Sequence, residues 1–304
     1  MQASSPRHDT RAPEGQTIPE DTQPAQRTPK AGRDLPAAIT TGAALLIPAV
    51  LGIIFFELLL ILVATVLLSL GVWEVARALE TKGLRLPKIP LFLGAVTMPV
   101  SAYFGGAEAL TLALMVTGIA IVIGAAIARV EDPGRSIVSS LFVACWVPYL
   151  ISFAVLLLEQ PEGEWRLAVV VLLVVSNDTF GYIVGVLFGK HPMAPKISPK
   201  KSWEGFSGSM LGAMGVGMLT SWLVFDEPVY IGAVLSAVVV VASTAGDFSE
   251  SMVKRELGLK DMSHVLPGHG GVMDRLDSLV FAMPSAFFVI VALTEDSGGV
   301  PLGL

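Results

Sequence analysis

Charged residues are scarce in this sequence. They make up only 15% of the 304 residues, whereas a soluble domain carries roughly 25%. So few charges cannot cover a water-facing surface, which excludes an ordinary soluble enzyme. The formal net charge of −6 also excludes a protein that binds nucleic acid through a basic surface. Cysteine is nearly absent too: Cys145 can form no intrachain disulfide, and its apolar neighbours predict a small buried side chain.

Residues 1–35 lack aromatic side chains and long apolar runs, and they are instead polar, charged and rich in proline. No apolar segment follows a short basic start, so the stretch does not resemble a secretory signal peptide. A segment of this composition buries too little apolar surface to offset the entropy of ordering. We therefore predict a disordered cytoplasmic tail, and the sequence leaves a regulatory or partner-binding role for it open.

From Pro36 onward, apolar segments recur at about the 20-residue length that an α-helix needs to cross a bilayer. Glu57 and the pair Gly105-Gly106 mark two tight turns between successive segments. The nine predicted spans lie near 37–57, 58–79, 90–106, 107–128, 137–158, 166–188, 206–225, 229–250 and 277–294. The predicted fold class is an all-α, polytopic integral membrane protein, divided into N-terminal helices (36–165) and a C-terminal region (166–304) that holds most intramembrane polar residues.

The basic residues predict the orientation of these spans, because Lys and Arg accumulate on the cytoplasmic side of a membrane. With nine spans and a cytoplasmic N-terminus, every Lys and Arg except Arg166 falls on the cytoplasmic side. Acidic residues occupy the turns on the other side. A change of one in the number of spans would destroy this separation, so we predict a cytoplasmic N-terminus and an exterior C-terminus.

Four consecutive polar residues, Ser176 to Thr179, lie near the centre of the sixth predicted span. A carboxylate such as Asp178 is costly inside a bilayer, and such residues usually mark a functional site. A water-filled cavity or ion site is the favoured interpretation, and an interhelical hydrogen-bond cluster is the alternative. In the loop that follows, Lys200 and Lys201 are either determinants of topology or a site for phosphates or anionic lipid headgroups.

The segment from Gly246 to Ser278 combines carboxylates, hydroxyls and basic side chains. If the eighth helix continues, Asp247, Glu250 or Ser251, and Lys254 lie on one of its faces. Asp274 and Asp277 likewise share a face where the ninth helix begins.

Oxygen donors without a supporting cysteine favour a hard cation such as Mg²⁺. His264 and His269 lack the third soft ligand that a zinc site would need. Acidic metal ligands, basic side chains and a polar pocket at the membrane surface suit phosphoryl or nucleotidyl transfer to a lipid. A cation-coupled transporter is the alternative, but transporters often have repeated halves, whereas these polar residues all lie in the second half of the chain.

The run from Ser251 to Asp277, SMVKRELGLKDMSHVLPGHGGVMDRLD, closely resembles the motif of the phosphatidate cytidylyltransferases, also called CDP-diacylglycerol synthases. That motif reads S-x-x-K-R-x-x-x-x-K-D-x-S-x-x-L-P-x-H-G-G-x-x-D-R-x-D, and the chain matches every fixed position. The upstream segments 177–179, 188–191 and 198–205 also resemble the family, with Ser202 where many members have threonine.

The resemblance implies that CTP and phosphatidate give CDP-diacylglycerol and pyrophosphate with Mg²⁺ as cofactor, and it makes 166–304 the catalytic region. It implies a multi-pass protein of the cell membrane, with its site facing the cytoplasm among membrane lipids, and leaves a homodimer open. Another CTP-dependent lipid cytidylyltransferase or kinase is the nearest alternative.

Asp247 and Asp274 are the implied metal ligands, with Ser251 beside them. The implied phosphate-binding catalytic cations are Lys254, Arg255, Lys260 and Arg275. The remaining candidates for substrate binding are Asp178, Lys200, Lys201, Asp261, His269, Gly270, Gly271 and Asp277, together with Ser251.

Overall fold

The computed structural model describes residues 35–263, 265–266 and 270–295, and helices dominate it. A helix satisfies its own backbone hydrogen bonds, which apolar surroundings require. The helices are α1 (Leu35–Phe55), α2 (Glu57–Glu80), α3 (Lys88–Ile127), α4 (Pro133–Ala144), a π-helical turn (Cys145–Tyr149), α5 (Phe153–Leu158), α6 (Gly163–Phe188), α7 (Trp203–Val224), α8 (Val229–Glu256) and α9 (Met273–Glu295). Apart from Leu35, which begins α1, the predicted tail lies outside the described residues.

Within the described part of the chain, seven helical segments are long and apolar enough to cross a membrane, with Pro133–Leu158 counted as one. The chain is thus an all-α polytopic membrane protein, as predicted. The count of nine spans, the orientation and the division at residue 165 remain predictions. Helix α8 continues to Glu256, beyond the predicted end at 250, and α9 begins at Met273 rather than at 277.

Helix α3 is a hairpin with two antiparallel arms. Its 40 residues are about twice the length that crosses a bilayer, and Gly105 and Gly106 have non-helical dihedral angles. Gly94 lies directly against Thr117, although these residues would be about 35 Å apart along a continuous helix. The predicted turn at the glycine pair is confirmed, and Gly106, with a φ of 63°, adopts a conformation that other residues rarely reach.

The turn between α1 and α2 lies beside the turn of α3. Phe56 separates the two helices, and Glu57 begins α2. The Tyr103 hydroxyl donates a hydrogen bond to Glu57 Oε2 over 3.2 Å, just before the break in α3. The predicted tight turn at Glu57 is therefore confirmed, and the two turns lie at the same end of the helices.

Cys145 does not have the predicted burial. It lies in the π-helical turn and is exposed, whereas its neighbours Trp146 and Val147 are buried. The prediction failed because the lipid-facing surface of a membrane protein is as apolar as its interior. An apolar sequence context therefore does not distinguish the two environments.

Four helices, α6 to α9, surround the polar residues of the C-terminal region. A two-stranded antiparallel hairpin, β1 (Pro192–Ala194) and β2 (Ser198–Ser202), joins α6 to α7. Ser202 caps the start of α7 by accepting a hydrogen bond from the backbone N–H of Gly205. Strand β2 thereby carries Lys200 and Lys201 directly to the end of the helical bundle.

Candidate active site

A polar cavity of about 330 Å³ lies between α6, β2, α7 and α8. It brings together four predicted site residues that are distant in sequence: Asp178, Lys200, Lys201 and Asp247. Asn177 donates a hydrogen bond of 2.9 Å to Asp178 Oδ1, so these two polar side chains orient each other. Of the four polar residues from Ser176 to Thr179, Asn177 and Asp178 line this cavity, as the favoured interpretation requires.

Asp247 connects three elements around this cavity. Its Oδ2 atom forms an ion pair with Lys201 of β2, and its Oδ1 atom accepts a hydrogen bond from the Ser278 hydroxyl of α9. The side chain of Asp247 is only 14% exposed. The Asp247 carboxylate is thus held by an ion pair and by a hydroxyl donor, and Lys201 of the ion pair also lines the cavity.

Lys254 connects α8 to α9 at a second point. Its ammonium group lies 2.5 Å from Glu250 Oε2 and 2.8 Å from Asp274 Oδ1. Because α8 continues through residue 256, Asp247, Ser251 and Lys254 follow one another at helical spacing on one face. The predicted continuation of the eighth helix is thus confirmed.

The Gly270-Gly271 pair packs against carboxylates of the protein itself. The backbone N–H of Gly271 donates to Asp274 Oδ2 over 2.8 Å, and that of Met262 donates to the same atom over 3.3 Å. Gly270 has a φ of 80°, and a side chain at Gly271 would collide with Asp274 and Glu74. The glycines thus let the loop backbone approach and orient Asp274.

Glu74 is the principal residue that sequence reasoning missed. It lies in α2, is only 1% exposed, and accepts hydrogen bonds of 2.8 Å from the backbone N–H groups of both Val272 and Met273. The Ser263 hydroxyl donates to the same carboxylate. The available signal was an acidic residue within an otherwise apolar span, which is costly unless it has partners.

Glu250 is a second carboxylate that sequence reasoning left undecided. It is fully buried, and among the described residues its Oε1 atom has no hydrogen-bond partner. Glu250 and Asp277 interact electrostatically, as do Asp277, Asp247 and Asp178. In this cluster, five carboxylates lie near three cations. Its carboxylates are Asp178, Asp247, Glu250, Asp274 and Asp277, and its cations are Lys201, Lys254 and Arg275.

The donor set of this cluster suits Mg²⁺, although it does not enclose a metal ion by itself. In the part of the chain that the structure describes, no three carboxylate, imidazole or thiol groups converge on one point. Mg²⁺ usually binds one or two carboxylates and completes its coordination with water and substrate phosphates. A Mg²⁺ ion whose coordination is completed by substrate phosphates would therefore not need three protein carboxylates.

Other predicted residues lie at the edge of the site. Arg255 is exposed and donates from Nε to the Ile197 carbonyl over 3.4 Å, next to the β-hairpin. Lys260 and Asp261 are exposed beyond the end of α8. His269 lies outside the described residues. Arg275 lies in the first turn of α9 and interacts electrostatically with Asp178.

A further missed contact orders the loop before β1. Glu204 at the start of α7 accepts hydrogen bonds from the backbone N–H groups of Lys190 and His191, over 3.1 and 3.2 Å. His191 Nδ1 lies 2.5 Å from the same carboxylate. The resemblance motifs contain both His191 and Glu204, but nothing in their spacing indicated that they pair.

Comparison with known proteins gives a consistent result along nearly the whole chain. A family model described as "Cytidylyltransferase family" matches residues 36–293. A phosphatidate cytidylyltransferase of Mycobacterium bovis is 36% identical over 284 residues, which are 89% of this chain and 93% of that protein. One of Mycobacterium tuberculosis is 36% identical over 89% of this chain and 87% of its own. One of Mycobacterium leprae is 38% identical over 90% and 91%.

Proposed function

Because the chain belongs to the cytidylyltransferase family, we propose that it transfers the cytidylyl group of CTP to phosphatidate. The products are CDP-diacylglycerol and pyrophosphate, and the enzyme is a nucleotidyltransferase of phospholipid biosynthesis. Relatives that are 36–38% identical over about nine-tenths of the chain bear the name of this activity. The region matched by the family model, residues 36–293, includes the C-terminal helices that hold the cavity.

The contact between Lys201 and Asp247 is the observation that carries this proposal. It joins a basic strand to an acidic helix inside a polar cavity that reaches into a membrane-spanning bundle. Nucleotidyl transfer needs cations for the phosphate oxygens and carboxylates for a metal ion within one site. A lipid acceptor also requires that the site open where the bilayer ends.

The reaction is a direct displacement at the α-phosphorus of CTP. An oxygen of the phosphatidate phosphate forms a bond to that phosphorus, while the bond from it to the oxygen bridging to the β-phosphate breaks. Pyrophosphate leaves with the electron pair. The lipid phosphate is already an adequate nucleophile, so no protein side chain needs to become covalently attached.

Mg²⁺ fits the proposed site at Asp247 and Asp274, with the Ser251 hydroxyl as a further oxygen donor. Bound there, it would neutralise charge on the triphosphate and make the α-phosphorus more electrophilic. Asp247 and Asp274 lie on different helices, and Lys201 and Lys254 currently pair with them. When phosphates arrive, these two ammonium groups can exchange a carboxylate for a phosphate oxygen without a large movement of the backbone.

The remaining basic residues bind and orient phosphates in this proposal. Lys200 and Lys201 line the cavity, and Arg275 interacts electrostatically with Asp178. Lys254 holds Asp274 in place and can reach a phosphate from the same position. Arg255 and Lys260 are exposed at the mouth of the site and would attract the anionic substrates from solution.

The finer location also belongs to the proposal. The chain is a multi-pass membrane protein, and we propose that it lies in the cell membrane with the cavity facing the cytoplasm, where CTP is present. The basic loops at 80–89, 129–136, 189–205 and 254–274 then share the cytoplasmic side. The surrounding anionic lipids would supply phosphatidate. The formation of a homodimer remains a prediction.

The purified protein should convert labelled CTP to a lipid-soluble product when phosphatidate and Mg²⁺ are present. Initial rates at several concentrations of both substrates should give intersecting double-reciprocal lines, because both substrates are bound when the bond forms. CTP that is chiral at the α-phosphorus should give a product of inverted configuration.

Equal activity with ATP, GTP and UTP, or transfer only to an isoprenoid or ether-lipid phosphate, would contradict the proposed substrates. Retention of configuration would contradict the single displacement.

A further inference from the structure

Helices α7 and α8 are in contact at one end and diverge towards the other. Gly217 of α7 and Gly232 of α8 pack so closely that neither position has room for a β-carbon. Small residues permit such close approach of membrane helices. On the other side of this contact, the two helices are separated by an open groove of about 530 Å³. Helix α9 also lines this groove.

This groove is apolar along almost its whole length. Met210 contributes from α7, Val238, Val241 and Ala245 from α8, and Phe281 from α9, with Ser285 as the polar exception. Val241 is 54% exposed although it is a large apolar residue inside a membrane-spanning helix. A concave apolar surface at this position faces hydrocarbon rather than water.

The groove lies next to the polar cavity on the same helices. Phe206 lines the cavity, and Met210, one helical turn further along the same face of α7, lines the groove. On α8, Val241 of the groove and Thr244 of the cavity are three residues apart and therefore share a face of the helix. On α9, Phe281 follows Asp277 by one turn. An elongated ligand can therefore have its polar end in the cavity and its apolar part in the groove.

We propose that the groove between α7, α8 and α9 binds an acyl chain of the lipid substrate. The inference rests on the proposed function, because only a lipid phosphate must reach the polar cavity while its hydrocarbon stays in the bilayer. The position of the groove supplies that continuity. A second copy of the chain could cover the same face, but such an interface would not need the groove to adjoin the polar cavity.

Filling the groove tests the proposal by kinetics. Val241→Trp and, independently, Val238→Trp place an indole in the groove without altering a charged residue. We expect the KM for a long-chain phosphatidate to rise about tenfold, the loss that follows when a few buried methylene groups are displaced. The KM for CTP and the rate with a water-soluble short-chain phosphatidate should not change.

Val234→Trp is the matched control. Val234 lies on the same helix and is 44% exposed, but it is not part of the groove. It should leave both lipid substrates unaffected. If Val241→Trp and Val238→Trp behave like this control, or reduce the rates with both chain lengths equally, the groove does not bind the acyl chain. A loss of dimers by Val241→Trp, with unchanged lipid kinetics, would instead assign the face to a second copy.

Photolabelling makes the result independent of turnover. Phosphatidate with a diazirine in one acyl chain should label residues 237–245 or 281–285 of the wild-type protein, as identified by mass spectrometry. Unlabelled phosphatidate should compete, and phosphatidylcholine should not. Labelling elsewhere would overturn the acyl-chain site even if the enzyme is active. Competed labelling of the groove without any cytidylyl transfer would instead support the site and contradict the proposed function.

Discussion

The carboxylate of Glu74 accepts a hydrogen bond of 2.8 Å from the backbone N–H of Met273, although the two residues are 199 positions apart. Met273 begins α9, and the next residue is the candidate metal ligand Asp274. A buried carboxylate of α2 therefore fixes the first turn of the helix that carries part of the site. The N–H groups that would otherwise be unsatisfied at this helix start gain a charged acceptor.

Glu74→Gln should lower kcat by about ten- to hundredfold, because a hydrogen bond to a charged group contributes roughly 1.5–3 kcal/mol. The amide removes the charge and turns an N–H₂ group towards the backbone donors. Glu80→Gln is the control, since Glu80 lies on the same helix in a surface ion pair of 3.0 Å with Lys88. Steady-state rates at saturating substrates measure the effect. A normal kcat in Glu74→Gln would show that the hydrogen bonds accepted by Glu74 do not position the site.

Asp247→Asn and Asp274→Asn should each reduce activity by at least about a hundredfold, on the order of 3 kcal/mol of transition-state stabilisation. Each substitution keeps the shape of the side chain and removes a charge that the cation needs. Asp226→Asn, in the turn between α7 and α8, is a suitable control because asparagine tolerates the positive φ of 51° at this position. Near-wild-type turnover at saturating Mg²⁺ would remove the residue concerned from the metal site.

The predicted orientation can be tested by cysteine labelling in a Cys145→Ala background. Cysteine at Lys196, in the β-hairpin loop, should be protected from an impermeant thiol reagent in intact cells. Cysteine at Glu159, which is exposed after α5, should react. Permeabilised cells provide the control, because both positions should then label. Labelling of Lys196→Cys but not of Glu159→Cys in intact cells would reverse the topology.

The pair formed by Arg166 and Glu227 should be important for stability rather than for catalysis. The guanidinium lies 2.8 Å from Glu227 Oε1, is 8% exposed, and stacks over Phe225 at 4.9 Å. Arg166→Met leaves a largely buried carboxylate without its partner and should cost about 3–5 kcal/mol. The thermal midpoint in detergent measures this loss.

Two further variants make the stability test specific to the pair. Arg166→Met combined with Glu227→Leu should recover part of the lost stability, because no buried charge is then unpaired. Arg135→Met removes an exposed pair, with 4.0 Å between Arg135 Nε and Asp132 Oδ2, and should have almost no effect. An unchanged midpoint in the single Arg166→Met variant would contradict the role of the pair.

Hydropathy and turn residues predicted most of the fold. Apolar length indicated the helices, and the glycine pair at 105–106 correctly marked the turn of α3. Exposure was harder to predict, as Cys145 shows. A lipid-facing position and a core position have the same apolar character, so only the packing of the helices separates them.

The structure brings several of the predicted site residues together, but the sequence did not predict the contacts between them. Motifs in the second half of the sequence indicated both Asp247 and Lys201, and the structure brings these two residues into contact. Nothing in those motifs led to Glu74, because its partners are backbone N–H groups that carry no sequence signal. Its contribution depends on how α2 packs against α9, and this is a property of the tertiary structure.

The hydrogen bonds that Glu74 accepts from Val272 and Met273 also have a consequence for the synthesis of the protein. During synthesis at roughly 5–20 residues per second, helix α2 enters the membrane long before Val272, 198 positions later, has been added. For a time on the order of ten seconds or more, this carboxylate has no native partner within an apolar helix. The insertion machinery or a neighbouring helix must shelter it until then. Helix α9 and the residue before it thus give Glu74 its native partners, and a chain truncated before Val272 should be recognised by quality-control proteases.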